Sequence, residues 1–492
     1  MSKNSPTPAW CYPVPTRPYN FEPLWKRDSR FNVVTSIASI GTFNDGGHDT
    51  LGIRARSRLL FADHQSNLFP APGRLGSGRS GFFSGHYLKG VGLTPLAANW
   101  NLPEFYYNSG YLMASSAVRE YLVSRYLEAK GGAALMVPCT GMLLAPITPG
   151  QLELNLRGLR ILKKSGYSTS MLSALDRHWV GMTVKPGNFC RYTNILWALK
   201  NLTGFNDPGS VLARLDELNA GLSPEGRGSA TDPVIPEERL LSSLEAGYRN
   251  LLNIGDFGVS WGSLNNNFTL DGRFVDLEVA VVFGSRQLGL TYEHSILERD
   301  AGRMYNVGVE VFSYQAQMLK FLSELKSWAF NLIESSKSDE PALKPLRPVL
   351  TGLVKTLELC RRSPFLDHRY AEQDLLRLLR ESLRVPARQW RLVEGAVREN
   401  AILWVTKRPA SFRPKTYRDT GIEYSAPEYR SSAHLLQLEG LHASGVQHPD
   451  AVLFKKLFEN ICEQKDSGRA FEAILKAEKT LKREVKPSRL GR

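Results

Sequence analysis

The sequence predicts an α+β protein of two lobes with a mostly helical C-terminal extension, and three observations carry that expectation. A glycine-rich segment, GRLGSGRSGFFSGHYLKG, passes into a short strand-like run that ends on Lys89. Further on, WGSLNNNFTLDGRFVD reads as an amide-rich loop, a strand over 268–270, an Asp271-Gly272 turn and a second strand over 273–277, because Asp-Gly between apolar runs is the strongest short hairpin signal. The final third carries a series of amphipathic stretches at helical spacing. Glycine loop, strand and lysine, with a polar-ended hairpin downstream, is the order of a protein-kinase-like site.

Residues 1–65 are rich in proline and aromatics, then in turn residues, and read as a segment that wraps a folded body. The smaller lobe is assigned to 66–150. Within it Gly76, Gly78 and Gly81 match G-x-G-x-x-G, but a Rossmann reading needs a helix to follow, and a strand-like run follows instead. Backbone amides of such a loop approach phosphates, and Lys89 would neutralise them; a glycine-rich hairpin with a surface lysine is the alternative. Next, a helix is expected from the N-cap pair Ser115-Ser116 through AVREYLVSRYLEAK to Gly131-Gly132. Its apolar face is Ala117, Val118, Tyr121 and Leu122, with Glu120 beside it. A carboxylate at a buried edge needs a cation, either Lys89 or, locally, Arg119 or Lys130.

The larger lobe is assigned to 151–336. In HWVGMTVKPGNFCRY, His178 and Lys185 either reach a phosphate or sit at a lobe boundary. Residues 220–238 read as a surface loop, followed by a helix over RLLSSLEAGYRNLL. The hairpin then places Asn267 and Asp276 at its two ends. Folded together, an amide and a carboxylate meet at one hard cation, and Mg²⁺ is usually held by one or two protein oxygens plus nucleotide phosphates. An exposed hairpin with polar ends is the other reading. The stripe Phe312, Ala316, Leu319, Leu322, Ala329 and Leu332 reads as core. After the polar linker SSKSDEPALKPLRP, the region 346–492 is mostly helical (LTGLVKTLELC, EQDLLRLLRESL, QWRLVEGAVRENAILW, AVLFKKLFENI, RAFEAILKAEKTL), with a loop at TKRPASFRPKTYRDTG.

Composition bounds the function. With 492 residues, 42% hydrophobic and 22% charged, the chain has the profile of a soluble globular protein of two or three domains. Cys11, Cys139, Cys190, Cys360 and Cys462 are widely separated and form no CxxC pair, which argues for a reducing compartment and against a zinc site. No apolar run is long enough for a membrane span and the start lacks a signal pattern, so a cytoplasmic protein is expected. The net charge of +14 is spread along the chain without a recognition motif, and reads as a solvated basic surface rather than a nucleic-acid interface.

In order, these features resemble the selenoprotein O family, pseudokinase-fold enzymes that transfer AMP from ATP to protein hydroxyls. RLGSGRS looks like that family's LGDGRA, LKGVGLTPLA like its LKG-G-TP-S motif, SSAVREYLVSRYL like its SSIREFL helix, and GRMYNVGVEVFSYQAQML like its GRY-F-NQP---WNLQRL segment. The likeness spans about 70–335. It implies Gly76, Gly78, Arg79 and Gly90 at the nucleotide, Lys89 as phosphate lysine, Glu120 as its helix partner, and Asn267 and Asp276 as ligands of Mg²⁺ or Mn²⁺. Five departures stand against it. Asn266 holds the family's catalytic aspartate position, and Trp261 the position of a histidine. His178 and Lys185 stand for two phosphate-clamping arginines. Ser77 replaces an aspartate, and NLPEFYYNSG is inserted before the helix. An amide at 266 cannot accept a proton, and general-base catalysis contributes roughly 10²–10⁴ in rate. The resemblance implies ATP-dependent AMP transfer to a protein Ser, Thr or Tyr. Two alternatives remain open: a pseudoenzyme acting as a nucleotide-binding or interaction protein, and a remodelled site that adenylates another substrate.

Overall fold

The computed structural model describes residues 12–14, 22–23, 59–61, 80–83, 86–90, 112–147, 149–150, 152–153, 156, 172–186, 189, 191–192, 208–222, 236–260, 267–278, 280–282, 307–338, 341–381, 391, 394, 415–416, 423–424 and 450–487. They form a mixed α+β structure. The main sheet runs in the order β1 (Tyr12–Val14), β3 (Leu59–Phe61), β4 (Ser80–Phe83), β5 (His86–Lys89), β8 (Trp179–Pro186), β7 (Gly141–Pro146) and β2 (Glu22–Pro23). A short β6 (Leu112–Met113) also pairs with β8, and every pairing is antiparallel. Two short antiparallel pairs lie outside it: β9 (Val259–Ser260) with β10 (Val281–Val282), and β11 (Lys415–Thr416) with β12 (Glu423–Tyr424).

This sheet draws its strands from the N-terminal segment and from both sides of residue 150. β8 lies beyond residue 150 yet is the strand on which β5, β6 and β7 converge, and β1 to β3 come from the N-terminal segment. The whole run VGMTVK of β8 is buried, as befits a strand covered on both faces, with Val180, Met182 and Val184 on one face and Gly181, Thr183 and Lys185 on the other.

The helix α1 (Ala114–Ala129) lies against β8 and β7. Its start differs from the expected serine cap. Met113 holds the N-cap without a side-chain bond, and Ser115 sits in the first turn. There Ser115 donates from its backbone N (2.9 Å) and Oγ (2.8 Å) to Oδ1 of Asp176. A carboxylate brought in from elsewhere thus satisfies the helix N-terminus. Asp176 belongs to α2 (Ala174–His178), whose own cap, Ser173, donates to it at 2.6 Å. At the other end Gly131 and Gly132 close α1 as expected, with Gly131 N–H to Glu128 O at 3.0 Å and Gly132 N–H to Leu127 O at 2.8 Å.

The expected one-sided face of α1 is also corrected. Arg119, Glu120 and Ser124 are as fully buried as Tyr121 and Leu122. The reason is a second layer: α8 (Ala451–Cys462) and α9 (Ser467–Glu484) pack on the side of α1 away from the sheet. The Tyr121 hydroxyl donates to Glu478 (3.2 Å), Lys130 pairs with Asp450 (2.6 Å), and the Arg119 guanidinium lies 4.9 Å from the Phe458 ring centroid.

Further helices among the described residues are α3 (Pro208–Gly221), α4 (Glu237–Asp256), α5 (Val307–Ser338), α6 (Arg347–Cys360) and α7 (His368–Glu381). α5 packs against α4, α6 and α7, so the two helices after the linker continue the packing of the middle of the chain. Leu322, Ala329 and Leu332 of the expected stripe are core and Leu319 is half-buried, while the side chains of Phe312 and Ala316 lie outside the described residues. QWRLVEGAVRENAILW lies almost wholly outside them as well. Among the described residues no helix is long and apolar enough to cross a membrane.

The expected hairpin is present, though its arms pair through isolated bridges and single bonds. Phe268 bridges Phe274, Thr269 N–H bonds to Arg273 O at 2.9 Å, and Val275 N–H bonds to Asn267 O at 3.0 Å. Gly272 closes the turn at φ +80°, and its open side faces the backbone of α4, where an added Cβ would overlap Gly247 N and lie 2.9 Å from Gly247 Cα. Glycine is required there twice, for the left-handed backbone and for the close approach.

Gly272→Ala is expected to lower unfolding stability by about 1–3 kcal/mol, since strain and overlap with backbone add. Gly352→Ala, inside α6 with nothing within 4 Å of the new Cβ, is expected to raise it by about 0.5–1 kcal/mol. Urea unfolding of both variants checks the pair.

Candidate functional site

Strand alternation builds the site. Tyr87 and Lys89 of β5 stand opposite Lys185 and Thr183 of β8, so all four side chains share one face of the sheet. α1 brings Glu120 to that face. Lys185 forms an ion pair with Glu120 Oε1, both residues being almost wholly buried, and the Thr183 hydroxyl donates to Glu120 Oε2 at 2.9 Å. Leu277 N–H reaches Glu120 Oε1 at 3.3 Å, tying the hairpin to the helix.

The expected pairing of Lys89 with Glu120 is therefore corrected. Lys89 ion-pairs instead with Asp276 and, at 2.8 Å, with Glu278. Lys185 competes for Glu120 from the neighbouring strand on the same face, and it takes the bond.

The hairpin does fold its ends together, as its turn chemistry predicts. Asn267 Nδ2 donates to Asp276 Oδ2 at 3.3 Å. Arg191, which the sequence reading passed over, completes the group: its Nη1 donates to Asn267 Oδ1 at 2.5 Å and its Nη2 to the Tyr87 hydroxyl at 2.8 Å. A backbone bridge between Arg191 and Thr269 fixes it beside the hairpin. Glu278 was also missed. The signal was its i+2 spacing from Asp276, which places both carboxylates on one side of an extended segment. For Arg191 the only signal was a charge six positions after Lys185.

His178 is not part of this group. It is exposed at the end of α2, while Lys185 lies at the far end of β8, roughly 20 Å away at strand rise. Gly90 is buried beside Lys89 at φ +98°, and an added Cβ would lie 2.6 Å from Gly181 O. It thus serves the junction of the strands with β8. Gly76, Gly78, Arg79, Trp261 and Asn266 lie outside the described residues.

Six charged side chains meet here: Lys89, Lys185 and Arg191 with Glu120, Asp276 and Glu278. Buried ions need this kind of mutual compensation. Burial pushes the Asp276 carboxyl up, but Lys89, backed by Lys185 and Arg191, outweighs burial and holds it well below the usual carboxylate range. Asp276 stays ionised and keeps 17% of its side chain exposed, a carboxylate edge at the surface of the cluster.

Among the described residues no group of three or more His, Cys, Asp or Glu is arranged to hold a metal ion. Asn267 and Asp276 carry oxygens of the type that Mg²⁺ takes together with phosphate and water, although here the Asn267 oxygen accepts from Arg191 and its amide nitrogen faces Asp276. They do not fit zinc or a thiolate-bound metal, and Cys139, Cys360 and Cys462 are free and buried elsewhere in the core. No protein-family model matches the chain, and no curated protein is significantly similar to it.

The depressed Asp276 pKa sets a pH dependence. A carboxyl with a lowered folded-state pKa adds stability above its unfolded value and loses it as pH falls through the folded value. Asp276→Asn is thus expected to be less stable than the parent by a constant margin above about pH 5, and by a shrinking margin below about pH 4. Urea unfolding of both proteins across that range tests it, and a margin that does not change with pH would remove Asp276 from the ionised cluster.

Proposed function

We propose that the chain is a nucleotide-binding transferase of two-lobed, kinase-like architecture that uses ATP with Mg²⁺ or Mn²⁺ to transfer AMP to a protein Ser, Thr or Tyr hydroxyl in the cytoplasm. The observation that supports this reading is the convergence of Lys89 on the carboxylate of Asp276 and of Arg191 on the amide of Asn267, at the two ends of one hairpin and with Lys185 beside them on the same sheet face. Cations that neutralise phosphates and hard oxygens that hold a metal are the two halves of a phosphoryl-transfer site. They come from three separated parts of the chain, and the order of the motifs agrees with the resemblance to the selenoprotein O family.

In this reading Lys89 leaves Asp276 for a phosphate oxygen. Arg191 exchanges Asn267 and the Tyr87 hydroxyl for two phosphate oxygens, supplying the bidentate geometry that Lys185 cannot. Lys185 and Glu120 hold the sheet and helix in place behind them. Asn267 and Asp276 would hold the metal, which when bound neutralises phosphate charge. The acceptor oxygen bonds to the α-phosphorus as the bond to pyrophosphate breaks, and pyrophosphate departs. The hydroxyl proton goes to water or to a group other than Asn266, whose amide accepts none. Catalysis then rests on positioning and electrostatics.

A pseudoenzyme is the second reading, favoured by Asn266 and by the mutual compensation of the buried ions. The two readings separate in one assay: purified protein, ATP labelled at the α-phosphate, Mg²⁺ or Mn²⁺, and cell extract. Label on protein that disappears in Asp276→Ala supports AMP transfer. Label in a small-molecule adduct or as free AMP points to another adenylation chemistry, and ATP binding without turnover points to the pseudoenzyme. In the transferase reading, Arg191→Ala lowers the rate by roughly 10²–10³. Asn266→Asp raises it, and no gain would mean that the missing base is not the limiting defect.

A further inference from the structure

The helix α9 turns two unlike faces outward and inward. Ala470, Ile474, Ala477, Glu478 and Leu481 are buried, and this side packs on α1 and α8. On the opposite side Arg469, Lys476, Lys479 and Arg483 are exposed, at positions i, i+7, i+10 and i+14 of one stripe. At 1.5 Å per residue the stripe runs about 21 Å. Read along the sequence, these charges are interspersed with acids; on the helix only Glu472 shares their face. Arg483 pairs with Glu484 at the surface, while Arg469, Lys476 and Lys479 form no ion pair with a described residue. Basic residues in a last turn offset the helix dipole, which accounts for Lys482 and Arg483 but not for Lys476 and Lys479, one to two turns earlier, or for Arg469 in the first turn.

We propose that this outer face of α9 is a docking surface for an acidic helical segment of a partner protein. Cations spaced i, i+3, i+7 match carboxylates at the same spacing on a helix laid alongside, and the chain's net charge of +14 steers an acidic partner towards it. Glu472 within the stripe favours a protein partner, whose own lysine can face it, over a phosphate backbone, every unit of which it repels. The face carries no aromatic side chain on which a base would stack. The surface is independent of the nucleotide chemistry above.

The test measures fluorescence anisotropy of a labelled helical peptide with glutamates at i, i+3, i+7 and i+10, against the full chain at low ionic strength. The peptide is expected to bind in a salt-dependent manner, and Lys476→Glu/Lys479→Glu to bind about tenfold more weakly. The neutral variant Arg469→Gln/Lys476→Gln/Lys479→Gln, which adds no new repulsion, is expected to fall between them, with far-UV circular dichroism unchanged in both. Equal binding by parent and variants overturns the proposal. Equal binding of a peptide with the same glutamates at scrambled spacing overturns it too, since charge alone then suffices. Tighter binding of a single-stranded oligonucleotide of equal net charge would replace the acidic protein segment with nucleic acid.

Discussion

Placing Glu120 in the interior is costly, and the structure is built so that the cost is met from three directions. Lys185 supplies the countercharge, Thr183 a hydroxyl, and Leu277 a backbone N–H. An isolated buried carboxylate would cost several kcal/mol, and removing one partner of such a pair commonly costs about 3–5 kcal/mol. The sheet, α1 and the hairpin are therefore held in one relative position by a group of charges that tolerates little displacement. Lys89 extends the same logic, because its ammonium sits between Asp276 and Glu278, on either side of the Leu277 that bonds Glu120.

What the sequence disclosed follows from the range of the interactions involved. The Asp271-Gly272 turn and the Gly131-Gly132 helix end are local: each needs only a few residues and one left-handed glycine, and both are where the pattern puts them. The meeting of Asn267 with Asp276 follows from that turn. The partner of Glu120 was not legible, because it depends on the register between β5 and β8, nearly a hundred residues apart. Once Tyr87 faces Lys185, two lysines compete for one carboxylate, and nothing in the spacing ranks them. The Ser115-Ser116 pair misled for a related reason. Serine at a helix start signals a cap, but the buried carboxylate of Asp176 is the stronger acceptor and draws Ser115 into a different bond.

The C-terminal helices acquire a role from what they cover. Their amphipathic pattern identified an apolar face without saying what it meets. α1, bearing Glu120 towards the sheet, bears Tyr121 on its other side towards Glu478 of α9, so consecutive residues of one helix are held by the middle of the chain and by its C-terminal helix. The contact of Lys130 with Asp450 and that of Trp179 with the Lys465 carbonyl (2.9 Å) repeat the arrangement at the end of α1 and the start of β8.

Charge balance also constrains how the proposed nucleotide chemistry can begin. Lys89 can turn towards a phosphate only if Asp276 gains another cation, for otherwise a largely buried carboxylate loses its main compensation. A metal arriving with the phosphates meets that requirement, whereas a metal-free nucleotide does not. Arg191 faces no such barrier at its two observed acceptors, since an amide oxygen and a phenol are easier to leave than a carboxylate. In the proposed reading the cluster exchanges partners with a metal-bound nucleotide as a unit, and Glu278, which also loses Lys89, must find its countercharge in that same exchange.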